Sequence, residues 1–222
     1  DMLEQSGLLV SGSKTAWLDF YSFVSKTNFT SPAAYAQMQA RMDVNEFMNY
    51  LIPHMFGGFT SWPKRNTRFW DDHGDAFGWR WMLRDLDSTF EKKGITQNTI
   101  KQAAAGGPTA SIYKQLLKNA AFRAEFAQRF AAHLNTTYEP ARGSGIIDDM
   151  AAAIRPEMPA HIARWGQPAS MTEWEARVEY LRYFATVRPP NLRKHLRALV
   201  GNKPDAMLTI NIDGDGRVLV AG

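Results

Sequence analysis

The sequence has no cysteine among its 222 residues. That excludes disulfides, thiolate metal sites and a cysteine nucleophile. No apolar run is long enough to cross a bilayer. The chain also lacks a G-x-S-x-G elbow, a Walker loop, a G-x-G-x-x-G turn and an H-E-x-x-H pair. His54, His73, His133, His161 and His195 show no metal-ligand spacing, so each reads as a surface or helix-packing residue. There is no internal repeat, no low-complexity segment and no basic tract of the kind that grips nucleic acid, so no nucleic-acid partner is expected. The chain starts at Asp1 without a basic-then-apolar leader. Together with an unfinished strand pattern at its end, this gives the expectation of a piece of a longer, exported protein.

What is present is an ordinary globular composition, 45% hydrophobic and 22% charged, with net charge +4 and a pI near 9.3. A mild positive excess reads first as a solvated surface, and second as a preference for an anionic ligand such as a nucleotide or an acidic polymer.

Apolar spacing predicts a helix over Lys14–Val24 with Trp17, Leu18, Tyr21 and Val24 inward. Ser31-Pro32 reads as an N-cap and first helical residue, with Tyr35 and Met38 inward. Asp43 and Glu46 form a capping box for a third helix carrying Phe47, Tyr50 and Leu51 inward. Pro53 should end or kink that helix, and Gly57-Gly58 should close it.

The period then changes. "NTRFW" and "WRWMLRD" read as two strands of a hairpin around "DDHGDAFG". In the second strand Trp79, Trp81, Leu83 and Asp85 fall on one side, so the strand would deliver Asp85 at its end. Gly106-Gly107-Pro108 is a break, and helical patterning follows it almost to the end. Asn119 should cap a helix with Phe122, Phe126, Phe130 and Leu134 in an i+4 stripe. Ser144 reads as a helix cap. A broken helix over Ile146–Ile154 and Pro159–Trp165 should be followed by one with Trp174, Val178, Leu181 and Phe184 inward. Arg188-Pro189-Pro190 should stop that one, before a last helix in "NLRKHLRALV". The fold class is mainly α with a small β-hairpin core (α+β), in a domain over residues 1–203. Residues 204–222 read as a terminal β-hairpin that could start an adjoining β-rich module. Its "NIDGDG" imitates a calcium loop through Asn211, Asp213, Asp215 and Gly216, but Gly222 stands where the closing glutamate should be.

Asp85 and Asp87 are the first candidates for chemistry. Two carboxylates after an apolar strand could hold Mg²⁺, which favours one or two carboxylates plus phosphate oxygens. They could equally cap a helix or pair with Arg80 or Arg84. Asn66 on its own reads as a residue closing a turn.

Five blocks carry a resemblance. "MDVNEFMNYLIPHMFGGFTSWPKRNTRFW" followed by "GWRWMLRDLDSTF" resembles the core of the CotH kinase family, the spore coat protein H-like atypical kinases. "LLKNAAFRAEFAQRFAAHLNTTYEPAR", "IRPEMPAHIARWG" and "LRYFATVRPPNLRKHL" resemble the helical segments that follow. The resemblance implies the C-terminal, large lobe of an atypical protein-kinase-like fold. It also implies ATP- and Mg²⁺-dependent phosphorylation of protein serine or threonine, on an unknown substrate, at the cell surface or outside the cell.

In such kinases a catalytic Asp is followed five positions on by a metal-binding Asn, and a second metal-binding Asp ends the next hairpin. The resemblance thus assigns Asn66 and Asp85 to metal and nucleotide, with Asp87 close by. It assigns Ser61 to the position of the catalytic Asp. The family block usually reads Gly-Asn-x-Asp-Trp-Pro, whereas this chain reads Gly58-Phe59-Thr60-Ser61-Trp62-Pro63. A serine hydroxyl does not take a proton as a carboxylate does. The phosphate-gripping Lys and its Glu partner are expected upstream of Asp1, since Lys14 and Lys26 lie in the wrong context. The alternative implied by Ser61 is an inactive pseudokinase, or a structural module of a coat or surface layer. A third reading takes the tryptophans as a carbohydrate-binding surface.

Overall fold

The computed structural model describes residues 1–5, 7–74 and 78–202. The expected hairpin at 204–222, with its calcium-like loop, lies outside the described residues. Two compact units divide between Ala127 and Gln128.

In the first unit four short strands form an antiparallel sheet in the order β2-β1-β3-β4. They are β1 (Met2–Glu4), β2 (Leu8–Ser11), β3 (Arg68–Trp70) and β4 (Arg80–Trp81). Leu3 pairs with Phe69, and Phe69 with Trp81, so one row of buried side chains crosses the sheet. β1 and β2 are additions to the expected hairpin. Three- and four-residue strands are too short for a period-2 signal to stand out.

Helices α1 (Thr15–Lys26), α2 (Pro32–Gln39) and α3 (Val44–Gly57) follow as expected, with three corrections. In α1 the buried residues are Trp17, Phe20 and Val24, while Leu18 is 61% exposed. Phe20 displaces Leu18 because it packs with Trp17 against Trp79. In α2 Ser31 caps Ala34 N–H at 3.2 Å, and Tyr35 and Met38 are buried.

In α3 the helix runs through Pro53 and ends at Gly57. An internal proline costs about 3 kcal/mol. Burying Phe47, Leu51, Ile52 and Met55 returns about 1.5–3 kcal/mol each, so packing outweighs the proline. The third correction concerns the capping box, of which only half forms. Asp43 Oδ1 accepts from Glu46 N–H at 2.9 Å, but the Glu46 carboxylate points elsewhere.

Trp62, Trp79 and Trp81 are buried, and Trp70 is half-buried. The buried three are core, and the carbohydrate-surface reading loses its basis. α4 (Thr99–Gln102) and α5 (Gly107–Leu116) flank the expected glycine break.

α6 (Ala120–Asn135) carries the division between the units. Asn119 caps it, accepting from Ala121 and Phe122 N–H at 3.0 and 3.2 Å, and its phenylalanine stripe is buried as expected.

In the second unit α7 (Pro140–Ile154), a short 3₁₀ turn over Arg155–Glu157, and α8 (Met158–Trp165) form the broken helix. Ser144 lies inside α7, and the cap is Glu139, which accepts from Arg142 N–H. α9 (Met171–Leu199) runs straight through Pro189-Pro190. Its buried residues Phe184, Ala185, Leu192 and Leu196 lie on both sides of the prolines, so one continuous packed face overrides the break. Trp174 and Val178 pack with Ala151 and Met158 as a small core.

Candidate functional site

Helix α3 ends in a left-handed Gly58, with φ of 71°. A Cβ at Gly58 would come within 2.8 Å of Gly94 Cα, so only glycine lets the two backbones meet there. The loop that follows alternates inward and outward. Phe59 and Trp62 are buried, and Ser61 is exposed. Phe59 stands where the resemblance expects a polar residue, and it stacks on His54 at 6.2 Å instead. Gln102 of α4 frames the loop, its Nε2 lying within 3.1, 2.9 and 2.6 Å of the carbonyls of Phe59, Thr60 and Trp62. Gln97 Nε2 donates to Gln102 Oε1 at 3.0 Å, which sets the orientation of that amide.

Beneath the loop, α3 carries a polar stripe at four-residue spacing, a half-buried Glu46 followed by the buried Tyr50 and His54. Trp62 Nε1 donates to Tyr50 Oη at 2.8 Å, and the Trp62 ring stacks on His54 at 4.8 Å. Glu46 accepts from the backbone N–H of Trp81 in β4 at 3.1 Å. One helix thereby fixes both the loop and the hairpin. Sequence reading places Glu46 in a cap and His54 among packing residues. The signal that could have found the stripe is the i, i+4, i+8 recurrence of polar groups on the face that also carries Phe47 and Leu51.

Burial sets the charge states of this stripe. It lowers His54 to about 4, against the raising effect of the Tyr50 carbonyl, so the ring is neutral near pH 7. It raises the Tyr50 hydroxyl and pushes Glu46 up to about 7. For Glu46 the Trp81 N–H opposes the shift, Asp43 adds to it and Arg80 opposes it.

A raised carboxyl pKa means that the folded state holds its proton longer than the unfolded chain does. Stability contributed here is complete below about pH 4.5 and falls as pH rises toward 7. After allowance for partial solvent screening the loss is about 1–2 kcal/mol. Glu46→Gln keeps an oxygen acceptor for Trp81 and removes the ionisation. Urea melts should show the variant equal to wild type at pH 4 and more stable by that amount at pH 8. Equal stability at both pH values would contradict the assignment.

Past the loop, Asn66 is half-buried with φ of 61°, and Thr67 O accepts from Gln5 N–H at 2.9 Å. β3 follows, then β4, which is shorter than expected. Its ladder ends at Met82 N–H to Arg68 O, 2.9 Å, and Leu83 is 48% exposed. The strand therefore does not deliver Asp85. The buried row stops at Trp81, and the chain leaves the sheet with no apolar partner to hold Leu83.

Asp85 still lies at a defined place. Asn66 precedes Arg68 and Asp85 follows Met82, whose bond to Arg68 closes the ladder, so both lie in the chain beyond the same end of the β3–β4 pair. Both have left-handed backbones, 61° and 57°. Asn and Asp tolerate that region better than most residues, and such conformations concentrate at functional sites.

Neither expected arginine neutralises Asp85 or Asp87. Arg84 and Arg68 both donate to Glu4 Oε2, at 3.0 and 2.8 Å, and those bonds hold Glu4 below the usual carboxylate range. Arg80 lies 3.9 Å from Asp43 and over the Trp70 ring. Both aspartates are exposed, and their side chains make no hydrogen bond or ion pair among the described residues. The turn after them is closed by Leu86 O, which accepts from Thr89 N–H and Oγ1, so Asp87 does not cap it. Among the described residues no group of three or more His, Cys, Asp or Glu is placed to hold a metal by itself. No helix among the described residues is long and apolar enough to cross a membrane.

Ser61 opens on a cavity of about 380 Å³ that Lys64, Arg65, Gln97 and Gln102 also line. A second cavity, of about 510 Å³, lies across Asp19, Arg41, Asp71 and Trp79.

Comparison with known proteins gives one family. The family model described as CotH kinase protein matches residues 7–192, and the chain belongs to the CotH kinase family. No curated protein and no solved structure matches.

Proposed function

We propose that this chain is the large lobe of an atypical protein kinase that binds Mg²⁺–ATP through Asn66 and Asp85, with Asp87 beside them. The substrate class is protein serine or threonine, in an exported or surface-layer protein. The observation that carries the reading is the placement of Asn66 and Asp85. Both stand at one end of the β3–β4 pair with left-handed backbones, and the Asp85 carboxylate is left unneutralised.

The donor set fits an ion that arrives on a nucleotide. One amide oxygen and one or two carboxylates are too few for an all-protein cage, and Mg²⁺ completes its shell with phosphate oxygens and water. When bound, the ion would neutralise phosphate charge and hold the transferring group in line. The chain's own residues supply position. Gln102, Tyr50 and His54 fix the loop that presents Ser61. Glu46 ties β4 to α3, and Glu4 gathers Arg68 and Arg84 away from Asp85.

Ser61 stands where a carboxylate would accept the proton of the substrate hydroxyl. Transfer by this protein is accordingly slow and rests on positioning and charge neutralisation. The same residue favours a second reading, a pseudokinase that binds nucleotide without transfer. Calorimetry of ATP binding with and without Mg²⁺, beside a radiolabelled phosphate-transfer assay on the full-length protein, separates the two. Metal-dependent binding with slow transfer supports the first, and binding with no transfer supports the second. Binding that does not need metal contradicts both.

A further inference from the structure

We infer that the cavity beside Ser61 is an anion-binding site for a protein partner, taking a carboxylate or phosphate-monoester side chain. The inference rests on the reading above in one respect only, that Ser61 occupies the place of a carboxylate.

From Phe47 to Trp70 the sequence contains no acidic residue. The loop therefore brings Lys64 and Arg65 to the cavity with no acid among the residues that line it. Neither cation forms an ion pair among the described residues, although salt bridges are frequent elsewhere on this surface. The course of Lys64 is set by packing. Its Cγ lies 2.7 Å from where a Cβ on Gly106 would sit, so the stem runs along the glycine. Gln102 is spent on the loop carbonyls and acts as frame. Among the groups that line it, the Ser61 hydroxyl, one ammonium and one guanidinium are free to face a ligand. All three donate, and a guanidinium fork matches a carboxylate or phosphate in two parallel bonds. An aspartate at position 61 would partly neutralise the pair. Serine leaves both charges for an incoming anion.

The occupant is a protein side chain rather than a nucleotide. The cavity is open, it lies on an exposed loop, and its volume is at the low end for small-molecule pockets.

The test uses fluorescence anisotropy without nucleotide. Three labelled Gly-Ser peptides carry three central serines, three glutamates or three phosphoserines. The glutamate or the phosphoserine peptide should bind, the serine peptide should not, and binding should weaken with salt. A preference between the two anionic peptides identifies carboxylate or phosphate as the source. The Lys64→Gln, Arg65→Gln double variant should weaken binding about tenfold. Ser61→Asp should weaken it as well. Equal binding of all three peptides, an unchanged double variant, or displacement by Mg²⁺–ATP that tracks Asp85 would overturn the inference. Ser61→Asp moves the two proposals in opposite directions, raising transfer and weakening anion binding, so one can fail without the other.

Discussion

Asp85→Asn in the full-length protein is expected to remove Mg²⁺-dependent ATP binding, weakening it by about 100-fold or more. A carboxylate in contact with a divalent ion and its phosphates is among the largest local charges in such a site, and its loss leaves the triphosphate poorly neutralised. Asparagine is the better probe than alanine. Asp85 has φ of 57°, and asparagine accepts that backbone where alanine is strained. Because Asp85 is exposed and unpaired among the described residues, the substitution should leave the melting temperature nearly unchanged. Asp87→Asn should reduce affinity much less. Equal losses for the two would shift the principal ligand role from Asp85 to the pair.

Ser61→Asp is expected to raise phosphoryl transfer by about 10²–10⁴, the range that a positioned base contributes. The loop is built to accept the change. Ser61 points outward, its hydroxyl has no partner among the described residues, and the Gln102 and Tyr50 contacts hold the loop through its carbonyls and Trp62. KM for ATP should stay close to wild type, because the proposed metal ligands, Asn66 and Asp85, are elsewhere. Fast wild-type transfer that depends on Asp85 would show that serine is tolerated, or that Asp71 or Asp72 supplies the carboxylate. Both are engaged in the turn that follows, Asp71 Oδ1 accepting from His73 N–H at 2.8 Å and Asp72 Oδ1 from Gly74 N–H at 3.0 Å.

The sequence made the helices legible where one apolar stripe ran under a clear cap. Ser31, Asp43 and Asn119 each cap the helix they were expected to cap, and the phenylalanines of α6 are buried. It misled at proline. Pro53, Pro189 and Pro190 each break a local rule that burial of a long face overrides, and local propensity carries no information about that face. β1 was illegible because its partner β3 lies more than 60 residues away, and β2, which pairs only with β1, is too short to show an alternation of its own. The loop sequence and the Asp-Leu-Asp drew attention to this region through resemblance alone. What holds that region together, the Glu46–Tyr50–His54 stripe and Gln102, was hidden because each residue type has a commoner local role. Whether β4 reached Asp85 depended on where the buried row stopped, and alternation in "WRWMLRD" continues past that point.

The central claim is that Asn66 and Asp85 act on one ion. A double-mutant cycle on Mg²⁺–ATP affinity tests it most directly, with Asn66→Gly, which removes the side chain at a backbone with φ of 61° without strain, Asp85→Asn and the pair measured by calorimetry. Ligands of a shared ion are coupled, so the double variant should lose scarcely more affinity than Asp85→Asn alone. Losses that add, or an Asn66→Gly variant that binds Mg²⁺–ATP as wild type does, would contradict the account.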